Sequence, residues 1–219
     1  IESLRTFYMI SGHMDFNIES TQVSISADKK DIFITLNISE GAKYNVSEIK
    51  LAGAQSVISH QEMRKLIDLQ PGDEFSRDAI AESVRKISER LGEDGYAFTN
   101  VNVAPEVDKE KHQVAFTFVV DPMQRVYIRR INIAGNEKTR DEVIRREFRQ
   151  MESGWFSTSK IKKSKQRIDR LGFFSEVNID TSQVQGSTDQ MDVNLKVAEK
   201  PTGNFQIGAG YSSMEGLTF

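Results

Sequence analysis

The chain repeats itself, and that repetition limits its fold more than any other feature of the sequence. Residues 43–54 read KYNVSEIKLAGA and residues 125–136 read RVYIRRINIAGN. Ile49, Leu51, Ala52 and Gly53 recur as Ile131, Ile133, Ala134 and Gly135, each pair 82 positions apart. Both segments alternate apolar and polar residues, the period of a strand. Each ends at a glycine that predicts a turn.

A helix start follows in each copy. Ser59-His-Gln-Glu62 and Thr139-Arg-Asp-Glu142 fit the capping box, in which the hydroxyl accepts from the third helical N–H and the glutamate reaches back to the cap. Met63, Leu66 and Ile67 form one apolar helix face, and Val143, Ile144 and Phe148 the other. Gly72…Phe75-Ser76 and Gly154-Trp155-Phe156-Ser157 then predict a helix break followed by a serine cap. Trp155 and Phe156 are expected to pack between helices. A second helix follows, with Ile80, Val84, Ile87 and Leu91 in one copy and Ile161, Ser164, Ile168 and Leu171 in the other. The steps Gly95-Tyr96 and Gly172-Phe173 lead into strands at 98–103 and 174–179. A final alternating strand carries Val114, Phe116, Phe118 and Val120, or Val193, Leu195 and Val197.

The unit is therefore β-α-α-β-β, and the fold class is α+β. Following the chain direction through one unit lets the third strand lie parallel to the first and antiparallel to the second. The expected product is a three-stranded mixed sheet covered on one face by two helices. Residues 43–123 and 124–200 are read as complete units. Residues 1–42 read as the C-terminal half of another, with Gly12-His13 at the glycine–aromatic step and closing strands at 16–26 and 32–39. At 203–211, apolar residues at every second position alternate with glycine or polar ones, the pattern of a transmembrane barrel strand; a flexible glycine-rich tail fits the same residues. Ile1 and Phe219 each fall inside an element, so the chain is expected to be a piece of a longer protein.

Composition narrows the function. The formal charge of −3 argues against a nucleic-acid binder. With no cysteine, disulfides, thiolate catalysis and Cys-based zinc sites are excluded. His13, His60 and His112 are scattered and show no metal-ligand spacing. No run of about 18 apolar residues exists to form a transmembrane helix. No paired-carboxylate, nucleophile or phosphate-loop motif is present, so neither an enzyme nor a cofactor is expected.

The segments GHMDFNIESTQVS, YIRRINIAGN, VIRREFRQMESGWFS, RIDRLGFFSEV and TGNFQIGAGY, in that order, resemble the POTRA repeats of the BamA family, which assembles outer-membrane β-barrels. The resemblance implies the end of a third POTRA domain (1–42), complete fourth and fifth domains (43–123 and 124–200), and the start of the first barrel strand (201–219). It supports the strand order first–third–second within each unit. It further implies the periplasmic side of the outer membrane, a BamD-type lipoprotein and other lipoproteins of the BAM complex as partners, and unfolded outer-membrane proteins as substrates. A related barrel translocase, for autotransporters or two-partner secretion, and a barrel-less division scaffold are the alternatives.

Two candidate sites follow. An edge strand exposes unpaired N–H and C=O groups that another strand can take; the candidates are 16–26, 98–106 and 174–182, with Asn100, Asn102, Glu176 and Asn178 as substrate-binding residues. Proline at Asn102 or Asn178 is expected to block such pairing while sparing the fold. The second site is the charged segment 140–152. If it is one helix, Arg145, Arg149 and Glu152 share a face. The residues alone fit a solvated face with Asp141–Arg145 and Glu142–Arg146 pairs; the resemblance implies instead that this face docks the BamD-type lipoprotein, with Glu152 at the matching acidic position.

Overall fold

The two glycine-ended segments each become the first strand of a separate sheet. The computed structural model describes residues 1–201 and the backbone of 210–212 and 216–218, and the chain divides into two units, Ile1–Arg125 and Val126–Phe219.

The first unit begins with α1 (Glu2–Ile10) and an antiparallel pair, β1 (Asn17–Ile25) and β2 (Ile32–Ser39). One face of that pair brings Val23 and Ile25 beside Ile34 and Ile32. All four are more than 60% exposed, so this face is uncovered among the described residues. The unit continues through β3 (Asn45–Gly53), α2 (His60–Leu66), α3 (Arg77–Glu93), β4 (Asn100–Asp108) and β5 (Gln113–Asp121). The sheet order is β3-β5-β4, with β3 parallel and β4 antiparallel to the central β5. The junction at 40–44 is tied locally: Tyr44 donates its N–H to Gly12 O at 3.1 Å and its hydroxyl to Asp15 at 2.6 Å.

The second unit repeats this with β6 (Tyr127–Ala134), α4 (Asp141–Arg145), α5 (Thr158–Asp169), β7 (Phe174–Gln183) and β8 (Gln190–Glu199) in the order β6-β8-β7. The same parallel and antiparallel senses recur. This is the mixed sheet expected from the chain direction. Gly210–Ser212 (β9) and Gly216–Thr218 (β10) pair antiparallel. Most of the alternating tail, 203–209, lies outside the described residues.

In each unit the helices cover the sheet face that carries the alternating apolar side chains. Val114, Phe116, Phe118 and Val120 are buried with Met63, Ile87 and Leu91. Met191, Val193, Leu195 and Val197 are buried in the second unit, as are Ile144 and Ile168. Each unit also buries a serine of its second helix completely. Ser83 Oγ donates to Ala79 O and accepts Asp68 N–H; Ser164 Oγ donates to Lys160 O and accepts Arg149 N–H. The hydroxyl thus joins the chain beyond the first helix to the flank of the second, and with both bonds made it is buried without penalty.

Three expectations need correction. The capping box forms only in part: Ser59 caps α2 through Glu62 N–H, whereas α4 starts after Arg140 with no side-chain cap. There the N–H groups of Lys138 and Thr139 are held by Glu199, brought from the far end of β8. The segment 140–152 is not one helix; α4 ends at Arg145, and turns follow. Trp155 is 49% exposed and meets Tyr127 edge-on instead of packing between helices.

The repeated glycines have a steric reason. Gly53 and Gly135 have φ of +79° and +88°, and a Cβ at either would stand 2.2 Å from Val120 O or 2.0 Å from Val197 O. The first strand can therefore leave the central strand only through glycine. Gly135→Ala is expected to cost about 3 kcal/mol, from left-handed strain plus the clash; urea unfolding of the variant against the parent chain measures it.

Candidate functional site

In the outer strands β4 and β7 the hydrogen-bond parity decides which backbone groups face out. Asn45 N–H donates to His112 O, and Tyr127 N–H to Asp189 O. In a parallel ladder this turns even-numbered residues of β5 and odd-numbered residues of β8 toward the first strand. The alternate residues of β5 and β8 bond the outer strands. By register, the even residues of β4, among them Asn100 and Asn102, face β5. Glu176 and Asn178 face β8 in the same way. The outward groups belong to Val101, Val103 and Val107 on β4 and to Val177, Ile179 and Thr181 on β7. Pro105 sits at an outward position, the one place where a strand tolerates a missing N–H. Proline at Asn102 or Asn178 would therefore break the internal ladder, so those substitutions do not test the edge.

The side chains of Asn100, Asn102, Glu176 and Asn178 are all exposed. Asn178 donates to Glu176 at 2.6 Å, so a carboxylate lies along the strand. The open face of the second sheet is crossed by a polar chain from Asn132 to Asn194 (2.8 Å) to Ser182 (3.0 Å). Beside it, Arg129 Nε donates to Asp192 at 2.9 Å, and this guanidinium holds the Asp192 carboxyl below the usual carboxylate range. In the first unit Lys50 lies between Glu106 (3.4 Å) and Glu48 (3.6 Å).

The charged segment gathers differently from expectation. Because the chain turns after α4, Arg145 and Glu152 meet at the margin of β6, with Nη1 and Oε1 3.5 Å apart. Glu152 Oε1 accepts Ile131 N–H at 2.7 Å, and Arg145 Nη2 donates to Ile131 O at 3.0 Å. The Asp141–Arg145 pair forms as read, but Arg146 turns to Glu147 rather than Glu142. Arg149 lines a different cavity of about 500 Å³ with Lys160, Lys163, Gln166, Arg167 and Arg170. Arg167 is paired with Glu147 at 2.6 Å. Gln150, buried beneath the turn, donates to Trp155 O and accepts Ser157 N–H, both at 3.0 Å. The sequence reading missed Gln150; its only signal is an amide inside an otherwise charged run. Among the described residues no three metal-ligating side chains come together.

Comparison with known proteins agrees with this geometry. A POTRA family profile, described as surface antigen variable number repeat, matches residues 44–123 and 126–200. The outer membrane protein assembly factor BamA of Neisseria meningitidis is 34% identical over 99% of this chain, and that of Buchnera aphidicola is 34% identical over 100% of this chain. The chain spans 27% and 35% of those two relatives. A crystal structure of Haemophilus influenzae BamA POTRA3-5 superposes with a TM-score of 0.83 at 32% identity, covering 90% of this chain and 78% of that one. BamA from Haemophilus ducreyi lacking POTRA domains 1–3 gives 0.63 at 34% identity, covering 80% and 33%.

A carboxyl whose pKa falls on folding stabilises the fold above its ordinary range and loses that contribution as pH drops through the lowered value. Asp192→Asn is therefore expected to flatten the acid limb of stability. The gap in Tm between variant and parent should narrow from neutral pH to about pH 3, as followed by thermal unfolding.

Proposed function

The chain belongs to the POTRA family, and we propose that it is the membrane-proximal, periplasmic part of a BamA-type outer-membrane assembly factor, a scaffold that binds polypeptides and does no covalent chemistry. In this reading residues 1–42 are the C-terminal half of a third POTRA domain, 43–123 and 124–200 are the fourth and fifth, and 201–219 start the first barrel strand. The relatives' name, outer membrane protein assembly factor, supports the role.

The observation that carries the mechanism is the outward-facing backbone of β4 and β7. Each is the last strand of its sheet, and no described segment pairs with its outer side. An unfolded barrel protein consists of strands with unmet N–H and C=O groups. Pairing one onto β4 or β7 is β-augmentation, in which main-chain bonds give affinity with little dependence on sequence. At about 1 kcal/mol net per bond the hold is weak and reversible, as a handover site needs. The exposed side chains of Asn100, Asn102, Glu176 and Asn178 flank such a guest on the open face. Arg145, Arg149 and Glu152 form the contact for a BamD-type lipoprotein; Arg145 and Glu152 meet at the margin of β6, while Arg149 stands apart from them in the basic cavity beside α5.

Thr181→Pro and Val107→Pro remove outward N–H groups without touching the ladder. Each is expected to weaken binding of an unfolded porin segment to its own edge by about tenfold, the value of one lost bond plus the blocked approach. Photocrosslinking from β4 and β7 reads this out; unchanged yields in folded variants would reject the edge mechanism. Separately, Glu152→Lys or Arg145→Glu is expected to reduce lipoprotein co-purification at least several-fold, the range found when a close charged interface pair is broken. Normal recovery with both folded variants would remove that contact.

A further inference from the structure

A three-stranded sheet has two margins, and the first strand forms the second one. Much of that margin is occupied by the chain itself. In the first unit Phe75 N–H donates to Tyr44 O, Val46 N–H to Asp73 O, and Gly72 N–H to Val46 O, at 2.8, 2.8 and 2.7 Å. The second unit repeats the pattern: Phe156 to Val126 O, Ile128 to Gly154 O, and Ser153 to Ile128 O, at 3.0, 2.9 and 2.7 Å. A bulge follows at 46–48 and at 128–130. The next outward residue is Ile49 in β3 and Ile131 in β6.

Here the two units part. At Ile131 a carboxylate and a guanidinium take the N–H and C=O of a single residue. Glu152 stands where a neighbouring strand would present a carbonyl, and Arg145 where it would present an amide. In the first unit the matching arginine, Arg64, turns back to Ile67 O and Leu69 O at 3.3 and 3.0 Å. The matching turn carries Pro71 in place of Glu152. Ile49 thus has no such pair on its outer side. Beside Ile131 lies a cleft of about 200 Å³, lined by Phe148, Gln150 and Met151 as well as the ion pair. Met151 is 67% exposed at its rim.

We infer that the β6 margin at Ile131–Ile133 is a docking site for an extended polypeptide segment, held shut by the Arg145–Glu152 pair. The pair is a side-chain imitation of one strand residue. Its two side chains are 43% and 44% exposed, and ion pairs this open to water are weakly held. An incoming strand replaces both bonds at Ile131, adds the outward groups of Ile133, and sets an apolar side chain against Phe148 and Met151. A partner whose cation draws Glu152 away opens the margin, so a contact on the charged face and strand capture in the sheet become linked. The inference rests on the strand-pairing reading for its ligand class, but its geometry is independent of β4 and β7.

The experiment uses the whole chain and follows single amides by NMR. Glu152→Ala is expected to accelerate exchange of the Ile131 amide at least about tenfold, with Ile128, bonded to Gly154, unchanged. Glu152→Gln keeps an acceptor and should retain most of the protection. A capped eight-residue peptide alternating leucine and serine is then titrated. In Glu152→Ala and Arg145→Ala it should perturb Ile131 and Ile133, with at least about fivefold tighter binding than in the parent chain. Ile131 exchange that is the same in Glu152→Ala and the parent overturns the plug. Peptide shifts confined to Val177–Thr181 overturn this docking site while leaving the β7 edge standing. Shifts at Ile131 and Ile133 without any on β7 support the site and count against β7.

Discussion

Backbone hydrogen bonding in a sheet of only three strands is the constraint on which the rest depends. Only the central strand can be satisfied on both sides, so each unit carries two rows of N–H and C=O groups with no ladder partner. The order β3-β5-β4, repeated as β6-β8-β7, makes the last strand of each three-stranded sheet in chain order the central one. It thereby commits the first and second strands to the margins. The two margins of each sheet are treated differently.

The treatments differ in kind. The early part of each first strand is closed by the turn between helices, through backbone bonds that recur almost distance for distance in both units. Farther along, β6 is closed by a half-exposed ion pair and β3 is not. The outer strands β4 and β7 are left to solvent, softened by Pro105 in one and by the Glu176 carboxylate in the other. Proline removes a donor outright, while a carboxylate discourages an approaching carbonyl; neither covers the whole edge. Margins of this intermediate kind suit the proposed role, in which strands are held briefly.

Rigidity comes from groups that fix the helices to the sheet. Gly53 and Gly135 let the first strand pass a carbonyl of the central strand where a Cβ has no room. Ser83 and Ser164 tie the turn between the two helices to the second helix, with both of their bonds made. In the second unit Glu199 reaches back from the end of β8 to hold the turn before α4, and the Thr139 side chain, with the amides of that turn, draws its carboxyl below the ordinary range. The C-terminal end of that sheet is thereby tied to the start of its first helix.

The local features were legible because they rest on local physics. Alternation, the glycine ends, the Ser59 cap and the 82-residue repeat of Ile49 and Ile131 can be read from the chain, as can the mixed sheet that the chain direction allows. Pro105 even encoded the facing of β4, since a proline inside a strand points its missing donor outward; that signal was present and unread. What tertiary structure decided involves partners far apart in sequence. Thr139 has the residue type of a cap, yet its amide goes to Glu199, 60 positions away. The run 140–152 has a helix-like charge pattern, yet the margin of β6 draws 153–156 into backbone bonds and the helix stops at Arg145. That turn, and not helical spacing, brings Arg145 and Glu152 together on Ile131. Periodicity records which side of an element is buried; which backbone groups are left to find partners is settled only when the strands have taken their places.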